Sequence, residues 1–452
     1  MAKKILVKST SGVRGVIGNG LDPVLATQYG AAFGTFLKKG KVVVGRDSRP
    51  SGEMIVKAVI AGLVSVGMDV IDVGLVPTPT VEIAVKKLKA AGGICVTASH
   101  NPAPWNALKF FNKTGEFISP SEYKRLDRIF DSGKFAYAKV DDLGSMSEQS
   151  HWIDEHIRMT LRVKGVNKAA VKRRKFTVVV DAINGAGSSA LPSLLERMGV
   201  QVFCINCDGN GKFVHEPEPI PANLGQLGRA VKRHKADLGL ACDPDADRLA
   251  LVDEKGRPIG EELTLAIGVK QVLKKRKGPT VINLSTSKVT MDVAEAMGSK
   301  VFMSKVGEAN VVQMMHAKKA TIGGEGNGGV IYPAFHAGRD SLIAAALTLS
   351  CLAEEKLSLA GLVETLPTYY NIKTKAALPA GFKAKLSKFE KKAQSLLGKT
   401  KIDRRDGLRF DFPEGWLQIR SSNTEPIYRL IVETNNEKLT ADLVRKVKKL
   451  FK

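Results

Sequence analysis

The sequence predicts an α/β protein with several sheets, followed by a smaller α+β unit at its carboxyl end. Two observations carry this prediction. Short apolar runs rich in β-branched residues recur along most of the chain, and segments with helical spacing of apolar residues alternate with them. The order of elements then changes in the final part of the chain. At about 100 to 200 residues per domain, 452 residues allow about two to four domains.

The apolar runs have the character of buried parallel strands, since each ends in glycine or a polar loop. In chain order they are Lys41–Gly45, Gly93–Thr97, Phe176–Asp181, Ala236–Asp243, Thr280–Leu284 and Ala320–Gly324. Helical spacing predicts the intervening helices Glu53–Val66, Leu191–Met198, Leu263–Leu273 and Leu342–Leu352. This alternation indicates βαβ units. Boundaries or connections are expected at Lys164–Lys175, after Gly256 and near Pro367.

The final segment has a different pattern. Ala377–Leu397 is a lysine-rich amphipathic stretch that predicts a helix, and Leu439–Phe451 predicts a closing helix. Between them, Leu408–Phe412 and Trp416–Arg420 alternate like paired strands. This order of elements is typical of a small α+β unit.

Composition excludes several classes of protein. Apolar residues make up 44% of the chain, which rules out a disordered or collagen-like protein. There are 69 Lys and Arg against 45 Asp and Glu, a net charge of +24 that is compatible with nucleic acid, a membrane surface or acidic small substrates. The lysines fall in short dispersed clusters and aromatic residues are only 6%, so nucleic acid is not the expected partner.

A cytoplasmic protein without a membrane partner is expected. Residues 1–8 have too short an apolar run for a secretory signal, and the nearly apolar stretch Ser341–Ala353 predicts a buried helix that is too short to cross a bilayer. The 5 cysteines are scattered and odd in number, which argues against a disulfide framework. Cys204 and Cys207 form a C-x-x-C, but no second pair nearby completes a zinc site. We interpret them as packing residues, with redox or metal chemistry as the less favoured alternative.

Two loops that follow predicted strands contain reactive side chains, and open α/β sheets bind ligands at these strand ends. In Thr97–Pro102, Ser99 is flanked by His100 and Asn101, without the G-x-S-x-G pattern of serine hydrolases; an ordinary turn is the alternative. Asp243–Arg248 has carboxylates at alternate positions, which can converge on one Mg²⁺ ion. A solvated acidic turn is the less favoured alternative, because the loop follows a buried strand. A calcium-binding EF-hand is excluded because Arg248 stands where that loop needs glycine.

Three further segments are rich in polar or small residues. Gly323–Gly329 lets backbone approach a ligand and offers Glu325 and Asn327 for hydrogen bonds, which suits a sugar better than a nucleotide. In Arg420–Pro426, the arginine can bind a phosphate with both nitrogens, and Arg429 follows. Taken alone, this segment fits a capped turn equally well. Thr10–Gly15 repeats this combination of an arginine, Arg14, with small residues.

Taken in order, these five segments resemble the α-D-phosphohexomutase family, which includes phosphoglucomutase, phosphomannomutase and phosphoglucosamine mutase. The resemblance covers essentially the whole chain. It includes Asn106 and Lys109 after the serine loop, and it extends to three further segments, Val44–Gly52, Gly74–Pro79 and Asp181–Gly187.

The resemblance implies four domains around a central cleft: three similar α/β/α units with mixed sheets and a smaller α+β domain. We expect them at residues 1–150, 151–255, 256–367 and 368–452. The first would carry the phosphoserine loop, the second the metal loop, the third the sugar-binding loop and the fourth the phosphate-binding loop.

The resemblance also implies a function for each loop. Ser99 carries a phosphoryl group and, with Asp243, Asp245 and Asp247, contributes to Mg²⁺ binding. Arg14, Lys109 and Arg248 are the candidate cations that offset the phosphoryl charge. Substrate would be bound by Glu325, Asn327, Arg420, Ser422, Asn423, Thr424 and Arg429. The expected reaction interconverts hexose 6-phosphate and hexose 1-phosphate through a bisphosphate, with hexose 1,6-bisphosphate as activator.

The sequence departs from the family pattern at the sugar loop. Many members read G-E-x-S-G-H, whereas here Asn327 replaces the serine and Gly329 the histidine. The general base is therefore open: Lys109 could serve if its pKa were depressed among cations, or His100 could serve instead. This loop form, with His336–Asp340 after it, looks most like a subgroup assigned to phosphoglucosamine mutase. Glucosamine phosphates are therefore the expected substrates, with phosphomannomutase/phosphoglucomutase activity as the alternative.

Two other functions stay open as alternatives. A metal phosphohydrolase would use Asp243 as its nucleophile and would not need Ser99. A basic nucleic-acid-binding protein would show affinity that falls steeply with salt. For the mutase, a phosphosugar is the expected small-molecule partner, and the chain is expected to be a monomer or a homodimer.

Overall fold

The computed structural model describes residues 5–421 and 427–451. Within these residues the strands form four sheets that follow one another along the chain. Three of the sheets are mixed and have helices packed on them, whereas the fourth is antiparallel. The predicted architecture of three α/β units and a smaller α+β domain is therefore confirmed.

The first unit contains the largest sheet. Its strands are β1 Leu6–Ser9, β2 Gly12–Ile17, β3 Gly20–Leu21, β4 Lys41–Arg46, β5 Asp69–Leu75, β6 Gly92–Val96, β7 Trp105–Asn112 and β8 Met146–Glu148. Its helices are α1 Pro23–Leu37, α2 Gly52–Val64, α3 Thr78–Lys87 and α4 Pro120–Ser132. The strand order is β1-β2-β7-β6-β4-β5-β8, with β3 beside β2.

The second unit is a sheet of order β10-β9-β11-β12, whose strands are β9 Thr177–Asp181, β10 Gln201–Ile205, β11 Leu238–Cys242 and β12 Leu249–Asp253. Its helices are α5 Trp152–Thr160, α6 Lys168–Arg174, α7 Gly187–Arg197 and α8 Gly225–His234. Helix α6 lies inside the charged stretch that the sequence marked as a connection.

The third unit has strands β13 Thr280–Asn283, β14 Val301–Ser304, β15 Ile322–Glu325, β16 Gly329–Tyr332 and β17 His336–Arg339. Its sheet has the order β14-β13-β15-β16-β17. Its helices are α9 Glu261–Lys275, α10 Lys288–Ala296, α11 Glu308–Lys318, α12 Ser341–Glu355 and α13 Leu359–Glu364.

The apolar run Ser341–Ala353 forms α12, which is buried as predicted. One hydrophobic core joins the second and third units, since Leu240, Ile282 and Leu347 belong to the same cluster. At the start of α12, the Asp340 carboxylate accepts hydrogen bonds from the backbone N–H groups of Leu342 and Ile343. No helix among the described residues combines the length and apolar character that a membrane span needs.

The fourth unit is an antiparallel sheet of order β18-β22-β21-β20-β19. Its strands are β18 Tyr370–Ala377, β19 Lys401–Asp403, β20 Leu408–Phe412, β21 Gly415–Ser421 and β22 Ile427–Thr434, and its helices are α14 Phe382–Leu397 and α15 Glu437–Phe451. The predicted helix start at Ala377 is wrong. Tyr370–Ala377 pairs with β22 along its length, and the helix begins only after Pro379 and after Gly381, which has a φ of +66°.

Three of the six predicted parallel strands have a parallel neighbour on one side and an antiparallel neighbour on the other. These are β6, β11 and β15, whose antiparallel partners are β7, β12 and β16. In each of the three units, the loop singled out in the sequence connects this pair of strands. The three loops therefore occupy the same position in their sheets, between the strand with a parallel neighbour and its antiparallel partner.

Candidate active site

Loops from all four units meet in one cleft. Its lining residues are Thr10, Ser11, Arg14, Ser99, His100, Lys109, Phe117, Glu218, Arg248, Val306, Gly307, Glu308, Ala309, Asn310, Glu325, Asn327, Arg339, Arg420 and Arg429. The structure thus brings together nine of the residues singled out in the sequence, and the three aspartates lie buried beside them. Ser422, Asn423 and Thr424 lie outside the described residues, so their predicted contribution stays a prediction.

Ser99 lies in the loop between β6 and β7 and is only 3% exposed. Its hydroxyl donates a hydrogen bond to Asp243 Oδ2 at 2.9 Å, across the boundary between the first and second units. Its backbone has a φ of +48°, which is unusual for a residue other than glycine and is common at functional sites. The surrounding loop therefore presents this hydroxyl directly to the acidic residues.

Arg49, which was not among the predicted site residues, holds the serine loop in this conformation. Its buried guanidinium donates to the carbonyl oxygens of Ser99 and Asn101, each at 2.6 Å. It also donates to Asp47 Oδ2 at 3.0 Å. Thr97 Oγ1 donates to the same carboxylate and accepts from the Ser99 N–H. Arg49 lies in Val44–Gly52, a segment in which the sequence resembles the family, so the resemblance could have indicated its importance.

Arg49→Lys is expected to destabilise the protein by about 2–4 kcal/mol, since one ammonium cannot replace the planar guanidinium at several buried acceptors. It should also lower activity by loosening the Ser99 loop. Thermal unfolding and initial rates measure the two effects. Arg46→Lys is the matched control, because the Arg46 side chain is partly exposed and donates to the Asp47 carbonyl oxygen at 3.1 Å. Equal effects of both substitutions would contradict this role of Arg49.

The acidic loop between β11 and β12 has the properties of a cation site. Asp243, Asp245 and Asp247 are at most 1% exposed, and their ligand oxygens lie within 4.8 Å of one another. Within the described part of the chain, Oδ1 of Asp245 and Oδ1 of Asp247 have no hydrogen-bond partner. Burial, together with the neighbouring carboxylates of Asp247 and Asp245, raises the pKa of Asp243 well above its ordinary value. A divalent cation would relieve this repulsion, so the residues fit a metal ion.

The acidic loop packs against the segment Asp181–Gly187, which also belongs to the family resemblance. The Ala186 N–H donates to the Pro244 carbonyl oxygen at 2.7 Å. A Cβ atom at Gly187 would lie 2.5 Å from Cys242 Sγ, so only glycine allows this close approach. The acidic loop and the end of β11 therefore pack closely against this segment.

Lys109 lies on β7 and points at the same aspartates. Its Nζ is 2.5 Å from Asp245 Oδ2 and 3.6 Å from Asp247 Oδ2. Burial alone would lower the pKa of Lys109, but the two carboxylates outweigh it and raise the pKa above its ordinary value. These two carboxylates favour the protonated amine, which is opposite to the shift that a proton-accepting lysine needs. Lys109 is present here as a cation.

His100 has the opposite electrostatic environment. Burial and the charges of Arg248, Arg14 and Arg429 lower its pKa well below the ordinary value for histidine. Its Nδ1 lies 3.4 Å from Ser99 Oγ. Arg14 also supports this loop through a hydrogen bond to Asn101 Oδ1. A neutral imidazole therefore lies next to the serine hydroxyl.

Arg248, the last residue of the acidic loop, lies over the aspartates at a longer distance. Its Nε is 3.8 Å from Asp243 Oδ2 and 3.6 Å from Asp247 Oδ1, and its Nη1 is 3.8 Å from Glu218 Oε1. The Arg248 guanidinium also lines the cleft. It is thus a second cation at the metal loop, on the side open to a ligand.

In the third unit, Glu325 is fixed at the start of the sugar loop. Its Oε1 accepts from Asn283 Nδ2 and from the Gly307 N–H, both at 2.8 Å, and its Oε2 accepts from Arg339 Nη1 at 3.1 Å. Burial alone would raise the pKa of Glu325, but Arg339 and these hydrogen bonds hold it below its ordinary value. Glu325 is thus an ionised hydrogen-bond acceptor, whereas Asn327 is partly exposed in the cleft.

The fourth unit contributes two arginines that lie opposite each other on paired strands, Arg420 on β21 and Arg429 on β22. Arg420 Nη1 donates to the Ser421 carbonyl oxygen at 2.9 Å, and Asp406 is 4.0 Å away. Burial lowers the pKa of Arg420 from its ordinary value; Asp406 partly offsets this shift, and the positive charge of Arg429 adds to it. Two guanidinium groups this close favour a bound anion such as phosphate.

The C-x-x-C motif takes no part in this cleft. Cys204 is exposed and Cys207 is partly buried, so packing explains Cys207 better than Cys204. Among the described residues, the three aspartates are the only group of three or more His, Cys, Asp or Glu side chains arranged to share a metal ion.

Comparison with known proteins agrees with this architecture. Models of the four phosphoglucomutase/phosphomannomutase domains match in order: α/β/α domain I at residues 6–137, domain II at 154–256, domain III at 261–370 and the C-terminal domain at 371–450. A phosphoglucomutase/phosphomannomutase from Thermococcus kodakarensis is 38% identical over 95% of this chain and 94% of its own length. A probable phosphoglucosamine mutase from Pyrococcus abyssi is 36% identical over 98% and 97%.

Among solved structures, a phosphoglucomutase/phosphomannomutase family protein from Burkholderia thailandensis superposes with a TM-score of 0.85. It is 27% identical and covers 98% of this chain and 97% of its own. The predicted resemblance is therefore confirmed. The chain belongs to the phosphoglucomutase/phosphomannomutase family of α-D-phosphohexomutases and is an enzyme of the intramolecular phosphotransferase class.

Proposed function

We propose that this enzyme interconverts hexose 6-phosphate and hexose 1-phosphate through a phosphoserine at Ser99, with glucosamine phosphates as its preferred substrates. One observation carries the proposal: the Ser99 hydroxyl donates to Asp243 at the buried acidic triad. The guanidinium pair formed by Arg420 and Arg429 lines the same cleft. A phosphate acceptor, a metal site and an anion site therefore coexist in one cleft.

Asp243, Asp245 and Asp247 would hold Mg²⁺, with an oxygen on Ser99 as a further ligand. When bound, Mg²⁺ neutralises charge on the transferring phosphoryl group. Around it, Lys109 and Arg248 supply fixed positive charge at the aspartates. The Asp245 carboxylate is oriented by Thr78, whose hydroxyl donates to Oδ2 at 2.7 Å.

In the first half of the reaction, a sugar hydroxyl oxygen bonds to the phosphorus on Ser99 while the bond from phosphorus to Ser99 Oγ breaks. The sugar hydroxyl loses its proton and Ser99 Oγ gains one, so the step leaves the number of bound protons unchanged. His100 Nδ1 lies 3.4 Å from Oγ and is placed to exchange the proton of Ser99, the leaving group. The bisphosphate then turns within the cleft. Ser99 Oγ takes the phosphoryl group from the other end, which leaves the isomeric monophosphate and restores the phosphoserine.

The preference for an amino sugar rests on Glu325 and on the relatives. The ionised Glu325 carboxylate can accept a hydrogen bond from a hydroxyl group, and an ammonium group at C2 would bind it more strongly because the bond is charge-assisted. The name of the Pyrococcus abyssi relative supports glucosamine, and that of the Thermococcus kodakarensis relative supports glucose and mannose. Activity on glucose and mannose phosphates is therefore the alternative.

Initial rates with glucosamine 6-phosphate, mannose 6-phosphate and glucose 6-phosphate test the substrate. Each assay contains Mg²⁺ and a hexose 1,6-bisphosphate to phosphorylate Ser99. We expect the highest kcat/KM with the amino sugar. Equal or higher kcat/KM with mannose 6-phosphate or glucose 6-phosphate would show that the enzyme is a phosphomannomutase/phosphoglucomutase instead. Absence of turnover with all three substrates would refute the proposed reaction.

Arg420→Ala is expected to raise the KM for hexose phosphate by about 10- to 100-fold, since it removes a charge-assisted contact to the phosphate that is not reacting. Phosphorylation of Ser99 by the bisphosphate should change less. Arg405→Ala is the control in the same unit, because Arg405 is exposed and pairs with Asp403. An unchanged KM in Arg420→Ala would mean that the two arginines do not bind the phosphate.

A further inference from the structure

Arg339, at the end of β17, connects the loops of two different units. Its Nη2 donates to Asp247 Oδ2 of the metal loop at 2.6 Å, and its Nη1 donates to Glu325 Oε2 of the sugar loop at 3.1 Å. Its Nε donates to Glu308 Oε2 at 2.9 Å, and Glu308 Oε1 accepts from the Arg339 backbone N–H. One guanidinium thus binds three carboxylates.

All four charged side chains in this cluster are buried. Arg339 is 8% exposed, and the three acids are between 1% and 7% exposed. Such contacts are strong because little water competes for them, and a planar guanidinium allows few arrangements. The distance between Asp247 and Glu325 is therefore set by the geometry of Arg339.

Gly329 makes room for this arginine. A Cβ atom at Gly329 would lie 2.3 Å from Arg339 Cδ and 2.9 Å from its Cγ, with Asn327 Oδ1 next at 3.0 Å. Gly329 does not have a positive φ, unlike its neighbour Gly328 at +88°. The backbone conformation therefore does not require glycine at position 329. Glycine is required because any Cβ atom there would collide with the aliphatic part of the Arg339 side chain.

We propose that Arg339 is a positioning residue that sets the separation of the metal loop and the sugar loop, and that Gly329 is its required partner. The inference rests on the proposed function, because the metal and the sugar are the ligands that these loops would hold. Through one side chain, Arg339 fixes the position of Asp247, which would bind the metal, and of Glu325, which would bind the sugar. Displacing it should therefore weaken both sites together.

Gly329→Ala, Arg339→Ala and the double variant test the coupling. Each is assayed for Mg²⁺ affinity by calorimetry, for kcat and KM with hexose phosphate, and for thermal unfolding. In the wild-type background, Gly329→Ala should weaken Mg²⁺ binding by about tenfold and lower kcat/KM by about 30-fold. In the Arg339→Ala background, the same added methyl group should change both by less than about threefold, since the arginine stem is gone. Gly268→Ala is the control, because its added Cβ meets only Val330, at 3.4 and 3.5 Å.

Equal effects of Gly329→Ala in both backgrounds would overturn the inference. So would a loss confined to thermal stability, with Mg²⁺ affinity and the KM unchanged in every variant. If Arg339→Ala does not fold, Arg339→Lys replaces it: this variant keeps the charge but cannot bind three carboxylates, so both affinities should still fall. Wild-type protein that lacks mutase activity would refute the proposed reaction, whereas the calorimetric comparison would still decide the coupling.

Discussion

Ser99→Ala is expected to lower mutase activity by at least about 10³-fold, because the variant has no oxygen to carry the phosphoryl group. Alanine tolerates the φ of +48° about as well as serine does, so the fold should be preserved. After incubation with hexose 1,6-bisphosphate, mass spectrometry of the wild-type protein should find one phosphate on the peptide that contains Ser99. The variant should carry none there.

Ser48→Ala is the matched control in the same unit. The Ser48 hydroxyl is buried and has no hydrogen-bond partner among the described residues, so its removal should leave activity near the wild-type value. Near-normal turnover by Ser99→Ala would contradict the phosphoserine mechanism. It would favour the phosphohydrolase alternative, in which Asp243 is the nucleophile.

Asp245→Asn is expected to raise the Mg²⁺ concentration for half-maximal activity by at least tenfold and to lower kcat by about 10²- to 10³-fold. The substitution removes one negative charge from the triad and leaves the buried Lys109 ammonium with Asp247, 3.6 Å away, as its charged partner there. Loss of a buried charge partner should also cost about 3–5 kcal/mol of stability. Activity at graded Mg²⁺ concentrations and thermal unfolding measure the two effects separately.

Asp253→Asn separates metal binding from stability. Asp253 is a buried acid in the same unit, at the end of β12, and it pairs with Arg257 instead of facing the cleft. Its substitution should lower the unfolding temperature without changing the Mg²⁺ requirement. If Asp245→Asn behaves in the same way, the acidic triad is not the metal site.

Much of the fold was predictable because local patterns and tertiary structure agree. The run Thr280–Leu284 became β13, and Leu408–Phe412 became β20 with the same bounds. The start of α14 was not predictable from amphipathic spacing alone. Tyr370–Ala377 has few strongly apolar residues, and it is a strand because β22 offers it a partner, which is a contact between distant parts of the chain.

The candidate site was predictable where each loop carries its own chemistry, as in Asp243–Asp247. It was not predictable where function depends on distances across units. The sequence left open whether Lys109 has the depressed pKa that a base would need, and only the fold reveals that Asp245 and Asp247 lie 2.5 and 3.6 Å from its ammonium. Arg339 was visible in His336–Asp340 as a subgroup feature, and its three carboxylate partners come from residues 247, 308 and 325.

The contact between Ser99 and Asp243 has a consequence for biosynthesis, because 144 positions separate the two residues in the chain. A nascent chain that has completed β8 can form the sheet that carries Ser99, but the carboxylates of the second unit have not yet left the ribosome. Arg420 emerges later still. Under the proposed mechanism, the serine therefore lacks the carboxylates and the phosphate-binding arginine of its site until translation is nearly finished.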